Sequence, residues 1–328
     1  MNRRRLWLAM TAAALGGALA MPRAHGQTGQ ALRRVGVLLV GDPAAGTAGA
    51  QDLIDALHRH GFVDGRDIVV VARFADGRTE GFARLAAELA ALNPAVIVTY
   101  GPQATQAALA ASPDAPVVAL LGEFVASGFA ATLARPGGRV IGVSFLNTTL
   151  NAKRLELLSE LLPKGSAVLN LGGPGTLSLT RVDGIAATAS ALGLVSHPAT
   201  ASTALEIDAA FATASRLRMA GVNVLGSPFL HAQRMRMFEL AAKARLPAIY
   251  EWPLAAREGG LMAYGPSLSA MSHQLATYVV RILNGAKASD LAVEQPTRFE
   301  LVINLKTAKA LGLTIPQSLL LRADEVIQ

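Results

Sequence analysis

Residues 34–40 read Arg34-Val35-Gly36-Val37-Leu38-Leu39-Val40. After Arg34 no polar side chain interrupts the run, so neither face of such a strand can meet water. That is the pattern of a strand inside a parallel sheet covered by helices on both sides. Residues 50–60 follow with helical spacing and stop at Gly61, and residues 67–74 form a second β-branched run. Leu85, Leu89 and Leu92 lie at helical spacing before Asn93-Pro94, and Ala95 to Thr99 supplies a third strand. Residues 116–121 and 140–145 give a fourth and a fifth, separated by the turn cluster Ala134-Arg135-Pro136-Gly137-Gly138. Short apolar runs alternating with helical segments predict repeated βαβ units and an α/β fold.

The alternation then begins again. A helix is expected over 151–162, a strand over 167–171, a helix over 179–192, and strands at 222–225 and 247–250. Two such halves imply two Rossmann-like lobes with parallel central sheets. The Gly259-Gly260 pair precedes a strand at 261–264 and a long helix at 267–283, and residues 298–304 form a late strand before a short terminal helix. These late elements have no complete sheet of their own and are expected to complete the earlier two. Residues 33–146 with 257–285 would form the first lobe and residues 147–256 with 286–328 the second. The chain would cross between them about three times, near residues 146, 256 and 286.

Residues 1–26 read as an export signal, with Arg3, Arg4 and Arg5 ahead of an apolar stretch from Leu6 to Met21 and the small-x-small site Ala24-His25-Gly26. The apolar stretch is 16 residues long and contains Gly16 and Gly17, whereas a membrane span needs about 20. A periplasmic product cleaved near Gly26 is expected, with no membrane span left in it. The formal charge of +7 includes Arg3, Arg4, Arg5 and Arg23, so the processed chain carries 26 bases against 23 acids. With no run of Lys or Arg, that balance offers no footprint for nucleic acid. The absence of cysteine removes disulfides, thiolate chemistry and a lipid-anchored N-terminal Cys. A monomer is expected.

Catalytic signatures are missing. His197, His231 and His273 are isolated in sequence, and His58 and His60 sit two apart on a helix, pointing away from each other. No nucleophile elbow, phosphate-binding loop or zinc-protease motif is present. No cofactor or metal is expected, and the chain reads as a binding protein rather than an enzyme. The aromatics point to a cleft. In open parallel sheets ligands bind beyond the carboxyl ends of strands, and Tyr100, Phe124, Phe145, Phe229, Tyr250, Trp252 and Tyr264 all lie at or just past predicted strand ends. Asp42 follows the first strand. Gly101-Pro102-Gln103-Ala104 opens a helix directly after the third, where unpaired N–H groups and the helix dipole can hold an anionic head. A plain proline-initiated helix start explains that segment equally well. Gly173 and Pro174, within Gly172-Gly173-Pro174-Gly175, form either a flexible turn or an anion-cradling nest.

The chain resembles the TrpX-like substrate-binding proteins of ABC transporters, a branch of the periplasmic binding proteins with type I topology, from about Arg34 to Gln328. The stretches that carry the resemblance are Leu133-Ala134-Arg135-Pro136-Gly137-Gly138, Lys153-Arg154-Leu155-Glu156-Leu157-Leu158, Leu246-Pro247-Ala248-Ile249-Tyr250, Gly259 to Pro266 and the tail Phe299 to Leu313. The resemblance implies an interlobe cleft, hinge closure on a small-molecule ligand, and docking to an ABC permease with its ATPase. Amino acids, aromatic ones among them, are ligands in this family. The departures fall at the cleft. The family's Gly-Thr-Pro-Ala is Gly101-Pro102-Gln103-Ala104 here, and its Gly-Asp-Pro-Val is Gly122-Glu123-Phe124-Val125. Its Asp-Pro is Ser227-Pro228, and its Tyr-Gly-Pro-Asp is Tyr264-Gly265-Pro266-Ser267. A buried ammonium needs a counter-charge or full hydrogen bonding, so the lost acids favour a small carboxylate with an apolar or aromatic body, with Glu123 deciding whether an amine is accepted. A sensor component that reports ligand to a membrane receptor would use the same lobes. A secreted α/β enzyme is the more distant alternative, and a repressor of the same fold would need a helix-turn-helix where the export signal stands.

Overall fold

In the computed structural model the described residues are 32–41, 43–179 and 182–328; the proposed export signal and Asp42 lie outside them. The opening apolar run becomes β1 (Arg33–Leu39), whose last five residues are buried. It sits inside a five-stranded parallel sheet with β2 (Ile68–Phe74), β3 (Val96–Tyr100), β4 (Val117–Leu121) and β5 (Val140–Ser144), in the order β2-β1-β3-β4-β5. Every residue of β3, β4 and β5 is buried. The helices α1 (Pro43–Arg59), α2 (Phe82–Ala90) and α3 (Pro102–Ala111) belong to this half.

A second sheet is built from β6 (Ala167–Gly172), β7 (Val195–Thr200), β8 (Gly221–Val224), β9 (Ala248–Tyr250), β10 (Met262–Gly265), β11 (Glu300–Asn304) and β12 (Glu325–Ile327). Its order is β12-β11-β10-β9-β8-β6-β7, parallel except where β11 runs antiparallel to β10. β7 gives no apolar sequence signal because it is an edge strand: none of its residues is buried and it contains Pro198. Leu169 and Ile303 sit in separate apolar clusters of this half.

The chain crosses between the sheets first at Phe145–Asn147, where Leu146 takes a left-handed conformation (φ 58°) and α4 (Asn147–Ser159) begins. The second crossing follows β10, at Pro266–Ser267, rather than near residue 256. Met262 to Gly265 pair with β9 and β11, and the Leu268–Leu283 helix then returns to the first half, packing on α1, β3, β4 and β5. The third falls beyond Glu294, whose backbone bridges to Val143, rather than near residue 286. The segment 257–285 is therefore divided between the halves. A strand after a glycine pair can complete either sheet, and local periodicity does not say which.

Beneath the second sheet's carboxyl edge lies a buried polar layer. Asn147, Asn151 and Arg154 follow at helical spacing along α4, all buried. Arg154 donates to the Tyr264 carbonyl (3.0 Å) and to Asn151 Oδ1, and Asn223 Nδ2 donates to Asn170 Oδ1 (3.0 Å). Glu251, 3% exposed, faces this layer. Burial pushes its carboxyl up to about 7, although its own and Ser227's backbone N–H groups and the charge of Arg154 act in the opposite sense. Burial likewise lowers the Arg154 guanidinium to about 10. A carboxyl whose folded-state pKa lies above its unfolded one favours the fold while protonated. Glu251's contribution is thus fully present below its ordinary 4.5 and is lost as pH rises towards about 7. In thermal melts across that window, Glu251→Gln should flatten the fall in Tm with rising pH relative to the wild type.

Candidate functional site

Each sheet order contains a point where the connections reverse direction, between β1 and β3 in the first and between β6 and β8 in the second. Crevices open at the carboxyl ends of strands at such points. Four strands here run into helices that start with proline: Pro43 after β1, Pro102 after β3, Pro228 after β8 and Pro253 after β9. Proline fits the first helical position because its missing N–H would have no partner there. These starts bring backbone from both halves together. A Cβ placed on Gly101 would lie 2.7 Å from Pro228 Cγ, and Gly101 also has φ +95°, so only glycine fits. Gln103 Nε2 donates to the Pro174 carbonyl across the cleft at 2.7 Å. On the second half, a Cβ on Gly173 would lie 1.9 Å from Ser227 Oγ, so glycine lets the β6 and β8 loops meet.

The Gly101–Pro228 approach separates two chambers. The larger has a volume of about 340 Å³, and its apolar wall includes Leu39, Val40, Tyr100, Phe145, Trp252 and Leu268. That volume falls within the usual range of small-molecule sites, about 300–1,000 Å³. Trp252 packs edge-on against Phe145, with ring centroids 5.0 Å apart, and belongs to the first half's apolar cluster although it follows β9 of the second. Asp52, His231, Arg234, Arg257, Ser267 and Ser269 supply its main polar lining. Desolvation and the neighbouring Arg234 bring His231 down to about 3, leaving the imidazole neutral, and burial raises the Tyr100 phenol to about 12.

The smaller chamber, about 40 Å³, has room for little more than one water, whose share of liquid volume is about 30 Å³. Gly101, Pro102, Gln103, Glu123, Pro174 and Ser227 line it, together with Asn147 and Thr176. Glu123 Oε1 accepts the Thr148 backbone N–H at 3.1 Å, which engages it with the first turn of α4. Asn147 Nδ2 donates to the Gly226 carbonyl at 3.1 Å, while its Oδ1 is buried without a hydrogen-bond partner among the described residues.

Of the residues singled out in the sequence, Tyr100, Gly101 and Trp252 therefore line the large chamber, and Pro102, Gln103, Glu123, Pro174 and Ser227 the small one. Others lie elsewhere. Ala104 and Phe124 are core residues of the first half, and Phe229 and Tyr250 of the second. Tyr250 stacks edge-on against Phe238. Tyr264 packs beside Phe299 and offers its carbonyl to Arg154. Gly173 supports the β6 loop without lining either chamber. The chambers are also lined by Asp52, Asn147 and Arg234, which the sequence did not single out, by His231, set aside there as isolated, and by Pro228 and Ser267, which entered only as departures from the family pattern. Nothing in the local pattern marks Asp52, a half-buried helical acid. A wider groove of about 610 Å³, crossed by the Arg236–Asp208 ion pair, lies on the second half alone and involves no crossing. Among the described residues, no three metal-ligating side chains converge, and no helix is long and apolar enough to span a membrane.

Residues 35–327 match the ABC transporter substrate binding protein family. No curated protein matches the chain. Among solved structures it is similar to a conserved domain protein from Vibrio cholerae, at 24% identity and a TM-score of 0.82, covering 90% of this chain and 99% of that one. It is also similar to an ABC domain in complex with L-Trp from Streptococcus pneumoniae, at 23% identity and a TM-score of 0.81, covering 90% and 100%. A ligand-free, open substrate binding protein with adhesive properties from Clostridium difficile matches at 22% identity and a TM-score of 0.62, again covering 90% and 100%. Identities this low speak for the fold, which is that of type I periplasmic binding proteins. The family match spans nearly every described residue, and the chain belongs to the ABC transporter substrate binding proteins, which capture solutes rather than transform them.

Proposed function

We propose that this protein is exported to the periplasm and captures either an amino acid or a small carboxylate with an aromatic or apolar body in the interlobe cleft. It then delivers that solute to the permease and ATPase of an ABC importer. The observation that carries the reading is the chamber of about 340 Å³ walled by strand ends of both halves, with rings on each side. The L-Trp complex of the Streptococcus pneumoniae neighbour supports an aromatic body. Capture needs no chemistry. Contacts such as Gln103 to Pro174 exist only while the halves meet, and a ligand touching both walls adds to them, shifting the hinge equilibrium by its differential affinity for the closed state. The three crossings, with Leu146 left-handed at the first, are the links that would flex.

Titrating the protein with a panel of amino acids and aromatic carboxylates should change the emission of Trp252 and raise Tm for the cognate class. At a hundredfold excess over Kd, stabilisation should reach about 2.7 kcal/mol. A panel that leaves both emission and Tm unchanged would count against solute capture. Gln103→Ala removes one hydrogen bond specific to closure and should weaken the best ligand roughly two- to tenfold, through faster release in stopped-flow fluorescence, while the Tm of the unliganded protein moves little.

A further inference from the structure

Three side chains that line the large chamber carry formal charge: Asp52, Arg234 and Arg257. The two guanidiniums are already matched. Arg234 holds Glu258 through Nε and through Nη2 (2.9 Å), and Arg257 reaches Glu300 at 2.9 Å and Glu325 at 2.7 Å. Arg257 is thus shared by two carboxylates, and that wall has no surplus of positive charge. His231, the remaining basic group in the lining, is neutral.

Asp52 is placed differently. It projects from the middle of α1, away from either helix end, beside the Ser269 hydroxyl of the Leu268–Leu283 helix. The groups facing it are Arg59 and Asp55 on its own helix and His273 on the other. None of them forms an ion pair with it among the described residues, and Arg59 is instead in contact with His273. Desolvation, the largest influence on it, raises its carboxyl above the ordinary value, and His273, the Ser269 hydroxyl and Arg59 offset that only in part. A carboxylate beside an apolar, ring-lined space is a poor neighbour for a ligand carboxylate and a good one for a cation.

We propose that Asp52 is the specificity-determining residue of the chamber, receiving an ammonium group carried on an aromatic or apolar body. The inference rests on the solute-capture reading and deepens it, because it selects the amine-bearing ligands from the two classes named there. It also moves the choice of amine from Glu123, which is engaged with α4, to an acid on the opposite chamber's wall.

Matched probes separate the two ideas: tryptamine against indole-3-propionate, and phenethylamine against 3-phenylpropionate, titrated calorimetrically into the wild type, Asp52→Asn and Glu123→Gln. The wild type should bind each amine at least about tenfold more tightly than its paired acid. Asp52→Asn should reduce that gap to about twofold without weakening the acids, and Glu123→Gln should preserve it. A purely structural role for Asp52 would instead weaken amines and acids alike, and that result would overturn the proposal, as would a wild type that prefers the acids. Binding of the acids with compaction in solution scattering would leave the capture reading standing. Failure of all four probes would remove both.

Discussion

The close approach of Gly101 to Pro228 sets how near the two sheets can come, and the rest of the site follows from it. A side chain at Gly101 would collide with the proline ring 2.7 Å away. With glycine there, backbone at the end of β3 meets the helix start beyond β8, and the space to either side is divided into a large apolar chamber and a small polar one. The contact is weak in itself, being dispersion between few atoms. Its value is geometric, since it places Tyr100, Phe145 and Trp252 around one volume.

Behind this contact the second half is held by polar groups. Asn147, Asn151 and Arg154 occupy buried positions of α4 where apolar side chains would ordinarily stand. Arg154 fixes the Tyr264 carbonyl just before the second crossing, and Glu251 lies between that layer and the loop carrying Ser227 and Pro228. Buried charges are costly unless compensated, and here Arg154 Nε and Glu251 Oε1 lack hydrogen-bond partners among the described residues. The layer joins the first crossing, the second crossing and the cleft wall, so its electrostatic state bears on all three.

How much was legible in the sequence differs from element to element. The run from Val35 to Val40, and those at β3, β4 and β5, announced buried parallel strands because continuous apolar runs have no other stable placement. β7 did not, since an edge strand buries little and its pattern is mostly polar. Of the strand-end aromatics, Tyr100, Phe145 and Trp252 line the large chamber, whereas Phe124, Phe229 and Tyr250 turn into the cores. Position along a strand fixes alternation of faces, whereas whether a ring at its end points into a cleft or beneath a helix depends on the packing around it.

The sequence by itself determined that this is an α/β chain of two sheet-centred halves with loops at strand ends suited to a ligand, because these follow from periodicity and turn chemistry over neighbouring residues. Only the tertiary structure decided which half β10 and the Leu268–Leu283 helix join, and that Asp52, Arg234, Arg257 and Trp252 share one chamber. Those placements join residues about two hundred positions apart. They are set by the complementarity of buried surfaces, which leaves no local pattern in the chain.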